Sequence, residues 1–259
     1  MQDIYCEDVG KGTPLVLVHG FLGSSDMWSP QVNYLQKYFR VLTPALPGFG
    51  KSKKIKSCET IECMARVVLA KLKIKKIKKF HLLGHSMGGM VAQEMVKFEG
   101  SKILKLIFYG TGPRGNIPGR FETIDVSRKK LKKNGLEVTA KRIAKTWFIK
   151  KDRSKYFYLC NVAGKQTSLQ AADNGLIAMK SWNGINNLKN IKNQTLIIWG
   201  NKDKAYNYNQ IITLKSKIPN SVIEIMKDCS HNVHLEKPKE FNDCVKKFLE
   251  NKKKYENKR

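Results

Sequence analysis

Over the first 110 residues, short unbroken apolar runs alternate with stretches whose apolar positions recur at helical spacing. Leu15-Val16-Leu17-Val18, closed by His19-Gly20, reads as a strand buried on both faces. Residues 39–43 give a second strand, ended by Pro44 and the Pro47-Gly48 turn; residues 80–83 and 103–109 give a third and a fourth. Residues 59–72, with Ile61, Met64, Val67, Val68 and Leu72, predict a helix, and residues 87–98 predict another. Strands alternating with helices predict an α/β fold, a mostly parallel sheet with helices on both faces.

The rhythm breaks at residue 111. Residues 111–190 contain no clear strand. They open with Gly112-Pro113-Arg114-Gly115 and Pro118-Gly119 and continue with helical stretches at 124–133, 136–149, 155–162 and 169–182. Strands return at 195–199 and 222–226, and a final helix is expected at 238–249. The organisation expected is a core domain, 1–110 with 191–259, carrying a helical cap at 111–190.

Composition narrows the class. A chain of 259 residues, 41% hydrophobic and 27% charged, can bury one large core and does not have a disordered composition. No apolar run approaches the ~20 residues of a membrane helix, and residues 1–12 lack a secretory pattern. Six cysteines without a Cys-x-x-Cys pair read as reduced thiols in a cytoplasmic protein. The net charge of +28 comes from 49 basic against 21 acidic residues, and only eight of the basic ones are Arg. A Lys-rich, Asn- and Ile-rich chain reads as the product of an AT-rich genome, with a solvated basic surface and tail (252–259), rather than as a nucleic-acid or membrane binder. A lesser reading is a field that draws anionic substrates.

The chemistry concentrates in a few segments. Gly84-His85-Ser86-Met87-Gly88 fits Gly-x-Ser-x-Gly between a strand and a helix, where small neighbours let a nucleophile stand on a sharp turn. A serine nucleophile needs a base. His231, between the last strand and the last helix, is the candidate and His234 the rival. Asp203, after the strand ending in Trp199-Gly200, is the candidate orienting acid and Asp228 the alternative. The backbone amides of Phe21 and Met87 are candidate oxyanion donors, and His19 reads as structural. Trp28, Tyr109, Trp147, Phe148, Met179 and Trp182 are candidate pocket walls, though each residue type is equally ordinary core. Arg114 and Arg120 could pair with a substrate carboxylate, but read as surface.

Five segments together resemble the α/β-hydrolase superfamily. They are Leu15 through Phe21, Leu46-Pro47-Gly48-Phe49-Gly50-Lys51-Ser52, Leu82 through Gln93, Ile197 through Asp203, and His231 through Pro238. Within it the chain is similar to carboxylesterases, 3-oxoadipate enol-lactonases and meta-cleavage-product hydrolases. The resemblance implies a serine hydrolase that cleaves a small to medium apolar ester or lactone through an acyl-enzyme on Ser86. The alternative is a C–C bond hydrolase of a vinylogous diketone with the same triad; other triad chemistry, such as thioester hydrolysis, perhydrolysis or a lyase, stays open, and a non-catalytic receptor on this fold is a different class altogether. It implies no cofactor, no metal, a small-molecule substrate and a monomer or homodimer. Ser86 argues against the relatives that use Asp as nucleophile. Departures are Ala45 for a frequent Asp, Ser230 for a frequent Gly, Tyr206 for a small apolar residue, Asn232 where C–C hydrolases often carry Trp, and a short N-terminus that leaves the first strand truncated or absent.

Overall fold

The computed structural model describes residues 3–251; the basic tail at 252–259 lies outside them. The apolar runs become strands of one seven-stranded sheet: Cys6–Val9 (β1), Pro14–Val18 (β2), Arg40–Pro44 (β3), Phe80–His85 (β4), Ile103–Tyr109 (β5), Gln194–Gly200 (β6) and Ser221–Met226 (β7). Their spatial order is β1-β3-β2-β4-β5-β6-β7. β1 runs antiparallel to β3, and every other neighbouring pair is parallel. The first strand is therefore present, against the expectation from the short N-terminus: Cys6 faces Pro44 and Val9 faces Val41.

The helices are Ser29–Leu35 (α1), Ile61–Ile74 (α2), Met87–Glu99 (α3), Ile124–Lys145 (α4), Phe157–Lys165 (α5), Leu169–Ser181 (α6), Tyr208–Lys217 (α7), Val233–Glu236 (α8) and Pro238–Glu250 (α9). Side chains alternate across each strand. Leu15, Leu17, Leu83, Ile107 and Ile198 pack with α1 and α9 through Val32, Leu35, Phe241, Val245 and Phe248. Val16, Val18, Leu82, Leu106 and Ile197 pack with α2 and α3 through Met64, Val68, Met90 and Val91. Burial on both faces is why these strands read as unbroken apolar runs rather than as alternating ones.

Helix ends follow local chemistry. Thr60 caps α2 by accepting from the Cys63 amide, and Lys71 and Lys73 occupy its last turn, where cations suit the negative end of the dipole. The cap turn brings Cys58 to Cys63, and the two form a disulfide. That corrects the reading of six free thiols; Cys6, Cys160, Cys229 and Cys244 are free.

Between β5 and β6 the chain is helical, as expected, with one isolated bridge from Arg114 to Asn183. The two helices expected at 124–133 and 136–149 are the arms of α4, broken at Gly135 by φ 76° and ψ 174°. Glu122, just before α4, clamps the two arms together. Its carboxylate accepts from Arg142 through both oxygens (2.8 and 2.9 Å), from Lys130 (2.9 Å) and from Ser127. Burial pushes its pKa up, but the Arg142, Ser127 and Lys130 bonds outweigh this and hold it at about 2.

The passage from β4 into α3 is tight. A Cβ on Gly88 would lie 2.3 Å from the Val18 carbonyl oxygen and 2.6 Å from that of His19, both backbone atoms. We therefore expect Gly88→Ala to destabilise the protein by about 1–3 kcal/mol; an unchanged urea midpoint would contradict this contact. Glu122 gives a second expectation. Its folded pKa lies below the ordinary 4.5, so its contribution is complete above that pH and disappears as pH falls towards about 2. The difference in urea midpoint between wild type and Glu122→Gln should shrink over that window, and a constant difference would show that the carboxylate is not what braces α4.

Candidate active site

The carboxyl ends of the parallel strands bring the chemistry-bearing residues to one edge. Ser86 follows β4 directly, with φ 55° and ψ −118°, a conformation rare for a residue with a Cβ. The surroundings impose it. The Ser86 amide donates to the Tyr109 carbonyl (2.9 Å), and the Ser86 carbonyl accepts from the Thr111 hydroxyl (2.8 Å) and the Gly89 amide (2.8 Å).

His231, after β7, and Asp203, after β6, meet at this edge. His231 Nδ1 donates to Asp203 Oδ2 at 2.8 Å, and the two side chains are only 2% and 0% exposed. The other Asp203 oxygen accepts from the Ala205 (2.6 Å) and Tyr206 (3.2 Å) amides, so the carboxylate is fixed before any substrate arrives. With Nδ1 engaged, Nε2 is the nitrogen left for chemistry. Ser86 and His231 line one small cavity of about 20 Å³.

The rivals are placed elsewhere. His234 lies beneath His231, with Nδ1 3.0 Å from the Tyr109 hydroxyl and its ring 4.8 Å from Trp28. Burial, with the His231 charge, lowers its pKa to about 3. Asp228 occupies an exposed turn at φ 50°. His85, buried beside Ser86, donates from Nε2 to the His231 carbonyl (3.3 Å), which also accepts from the Tyr109 hydroxyl (2.8 Å). Burial and the two neighbouring histidines drive the His85 pKa well down.

Phe21 and Met87 flank Ser86 through β2 and α3. Among the described residues neither amide has a backbone acceptor. The turn carrying Phe21 is pinned by His19, whose Nδ1 donates to the Gly20 carbonyl (2.8 Å) while Nε2 accepts from the Leu46 amide (3.0 Å). Burial lowers the His19 pKa to about 4, so the ring is a neutral structural strut.

Of the six expected wall residues, Trp147 and Met179 line the cavity at Ser86. Four do not, because each is committed to packing or hydrogen bonding. Trp28 packs on His234, Tyr109 holds the His231 carbonyl, Phe148 packs on Phe157, and Trp182 Nε1 donates to Glu94 (2.9 Å). Sequence reading missed Tyr206, Ile117 and Ile143, which line it. Tyr206 stacks on His231, with ring centroids 5.8 Å apart and planes inclined by 17°. Burial pushes its phenol up to about 12 against the Arg120 charge and hydrogen bonds with the Ser86 and Thr111 side chains. Arg120, read as surface, is partly buried and lines the same cavity; Arg114 is exposed. Among the described residues no cluster of His, Cys, Asp and Glu is arranged to hold a metal, and no helix is long and apolar enough to cross a membrane.

Comparison with known proteins places this geometry in a family. The chain is 28% identical over 246 residues (92% of its length) to the dihydrolipoyllysine-residue acetyltransferase component of an acetoin cleaving system from Pseudomonas putida, but spans only 64% of that protein. It is 28% identical over 264 residues to a pimeloyl-[acyl-carrier protein] methyl ester esterase from Wigglesworthia glossinidia brevipalpis, covering 96% of this chain and 98% of the esterase. It is 25% identical over 263 residues to a 2-hydroxy-6-oxononadienedioate/2-hydroxy-6-oxononatrienedioate hydrolase from Comamonas testosteroni, covering 96% and 91%. An esterase from Exiguobacterium antarcticum shares the fold, with a TM-score of 0.87 at 22% identity over 96% of each chain. The model of the alpha/beta hydrolase fold family matches residues 13–238, nearly the whole described chain, and the protein belongs to that family.

Proposed function

We propose that this protein is a serine hydrolase that cleaves a small carboxylic ester or lactone through an acyl-enzyme on Ser86. The observation that carries the reading is the buried Asp203–His231 contact of 2.8 Å opening on the same cavity as Ser86. His231 Nε2 takes the Ser86 proton as Oγ attacks the carbonyl, and Asp203 holds the ring tautomer and stabilises the imidazolium. The amides of Phe21 and Met87 receive the negative charge on the carbonyl oxygen, each worth about 2.7–4 kcal/mol in comparable sites. Collapse expels the alcohol, which leaves with the proton from His231. Water, deprotonated by the same ring, then releases the acid.

The segment 111–190 acts as a cap over the nucleophile. Apart from Gly115 and Arg120, its contributions to the cavity, Ile117, Ile143, Trp147 and Met179, are apolar side chains and set a small acyl pocket. The partner is a small molecule, and neither nucleic acid nor membrane enters the reading. The cytoplasmic reading loses part of its cysteine argument to the Cys58–Cys63 pair.

A second reading, hydrolysis of a C–C bond with the same triad, is favoured by the likeness to the Comamonas testosteroni hydrolase. Asn232, where C–C hydrolases often carry Trp, donates to Cys160 Sγ (3.2 Å) in the interior, and this departure is what weighs towards the ester reading. Hydrolysis of p-nitrophenyl esters from acetate to decanoate should show an optimum at short acyl chains. Ser86→Ala and Asp203→Asn should each lower kcat/KM by roughly 10⁴-fold or more, with unchanged circular dichroism. Retained turnover in Ser86→Ala contradicts the reading; no ester turnover beside cleavage of a dienone diketone by the wild type selects the second.

A further inference from the structure

The guanidinium of Arg120 is the site feature that ester hydrolysis does not use. It lines the cavity that contains Ser86 and His231. It also lines an adjoining cavity of about 320 Å³, formed by residues 114–120 with Thr123 and Ile124. Among the described residues Arg120 forms no ion pair with a carboxylate. Glu122 is close enough to act on it electrostatically, but both Glu122 oxygens are occupied by Arg142, Lys130 and Ser127. Arg120 sits 5.2 Å over the Phe121 ring, and the Phe121 amide donates to the Lys204 carbonyl (3.2 Å), which ties the segment to the loop of Asp203.

A partly buried cation without a counter-ion is costly unless something supplies the negative charge. The planar guanidinium fork matches a carboxylate in a bidentate fashion, and such charge-assisted bonds are the strong ones. The remaining walls at Ser86 are apolar or neutral apart from His231, so the site offers charge for one monoanionic group rather than for a phosphate dianion. Tyr206 lines the same cavity as Arg120 and Ser86, and both side chains act electrostatically on its phenol.

We propose that Arg120 recognises a free carboxylate on the substrate, so that the natural substrate is a half-ester or an acidic lactone rather than a wholly apolar ester. The carboxylate pairs with Arg120 at the junction of the two cavities, and the scissile carbonyl reaches Ser86. This rests on the serine-hydrolase reading above and narrows its substrate class.

The test compares the p-nitrophenyl monoester of glutarate with p-nitrophenyl pentanoate, its neutral counterpart of equal length. Wild type should prefer the anionic ester by about tenfold or more in kcat/KM. Arg120→Met should cut the anionic-to-neutral ratio at least tenfold, mainly through KM. Arg120→Lys, which keeps the charge and loses the fork, should fall between. Arg153→Gln removes an exposed charge and should leave the ratio intact. A ratio that ignores Arg120, or that falls equally with Arg153→Gln, overturns the proposal and leaves the hydrolase reading standing. Calorimetry of the Ser86→Ala protein with the unhydrolysed glutarate ester reads the subsite without turnover. Binding that disappears in Ser86→Ala/Arg120→Met supports the proposal even if the wild type hydrolyses neither ester, and equal binding by both proteins refutes it.

Discussion

Ser86 stands at φ 55° on a turn wedged between β4 and α3, and everything chemical in this chain depends on that wedge. The turn exists because Gly84 lets the start of α3 fold back against β4 and Gly88 lets it ride against the end of β2; an added Cβ at either would lie 2.3 Å from a backbone oxygen. The strain is held by two ordinary hydrogen bonds, one from the Ser86 amide to the Tyr109 carbonyl at the end of the neighbouring strand and one from the Thr111 hydroxyl just beyond it. Parallel register then does the rest. Because β4, β5, β6 and β7 run the same way, the loops that follow them converge, and Asp203 and His231 arrive beside the serine although 116 residues of chain lie between Ser86 and Asp203.

The layer under the site is as specific as the site. The Tyr109 hydroxyl, the His85 ring and the buried His234 grip the His231 loop from below, and Trp28 closes that layer. Trp28 and Tyr109 were read from the sequence as pocket wall, His234 as the rival base and His85 as part of the elbow, where it lies; together the four are the packing that keeps one imidazole in place. Low pKa values keep His85 and His234 neutral, so no second positive charge competes with an imidazolium at His231.

The sheet was legible because strands buried on both faces spell unbroken apolar runs, and β5 was delimited to the residue. α1 and α7 were not, since their few apolar positions carry no clear period and their burial depends on the partners α9 and β6. β1 escaped notice because a half-buried edge strand of four residues has neither an apolar run nor a strict alternation. Ser86, Asp203 and His231 stood out by their places after strands. The cavity wall did not, because large aromatic residues serve core and pocket alike, and only the fold commits Trp28, Phe148 and Trp182 to the one and Trp147 to the other. Arg120 looked like surface because a Pro-Gly-Arg segment in a Lys-rich chain gives no hint that its side chain folds inward.

The central claim is that Ser86 is a nucleophile activated by His231 and Asp203. Peptide mass spectrometry after exposure to a fluorophosphonate tests it most directly, because covalent capture needs the activated oxygen and no knowledge of the substrate. The account predicts one adduct, on the peptide containing Ser86, formed rapidly by the wild type and lost or greatly slowed in His231→Ala. An unlabelled Ser86, a label on another residue, or labelling indifferent to His231 would contradict it.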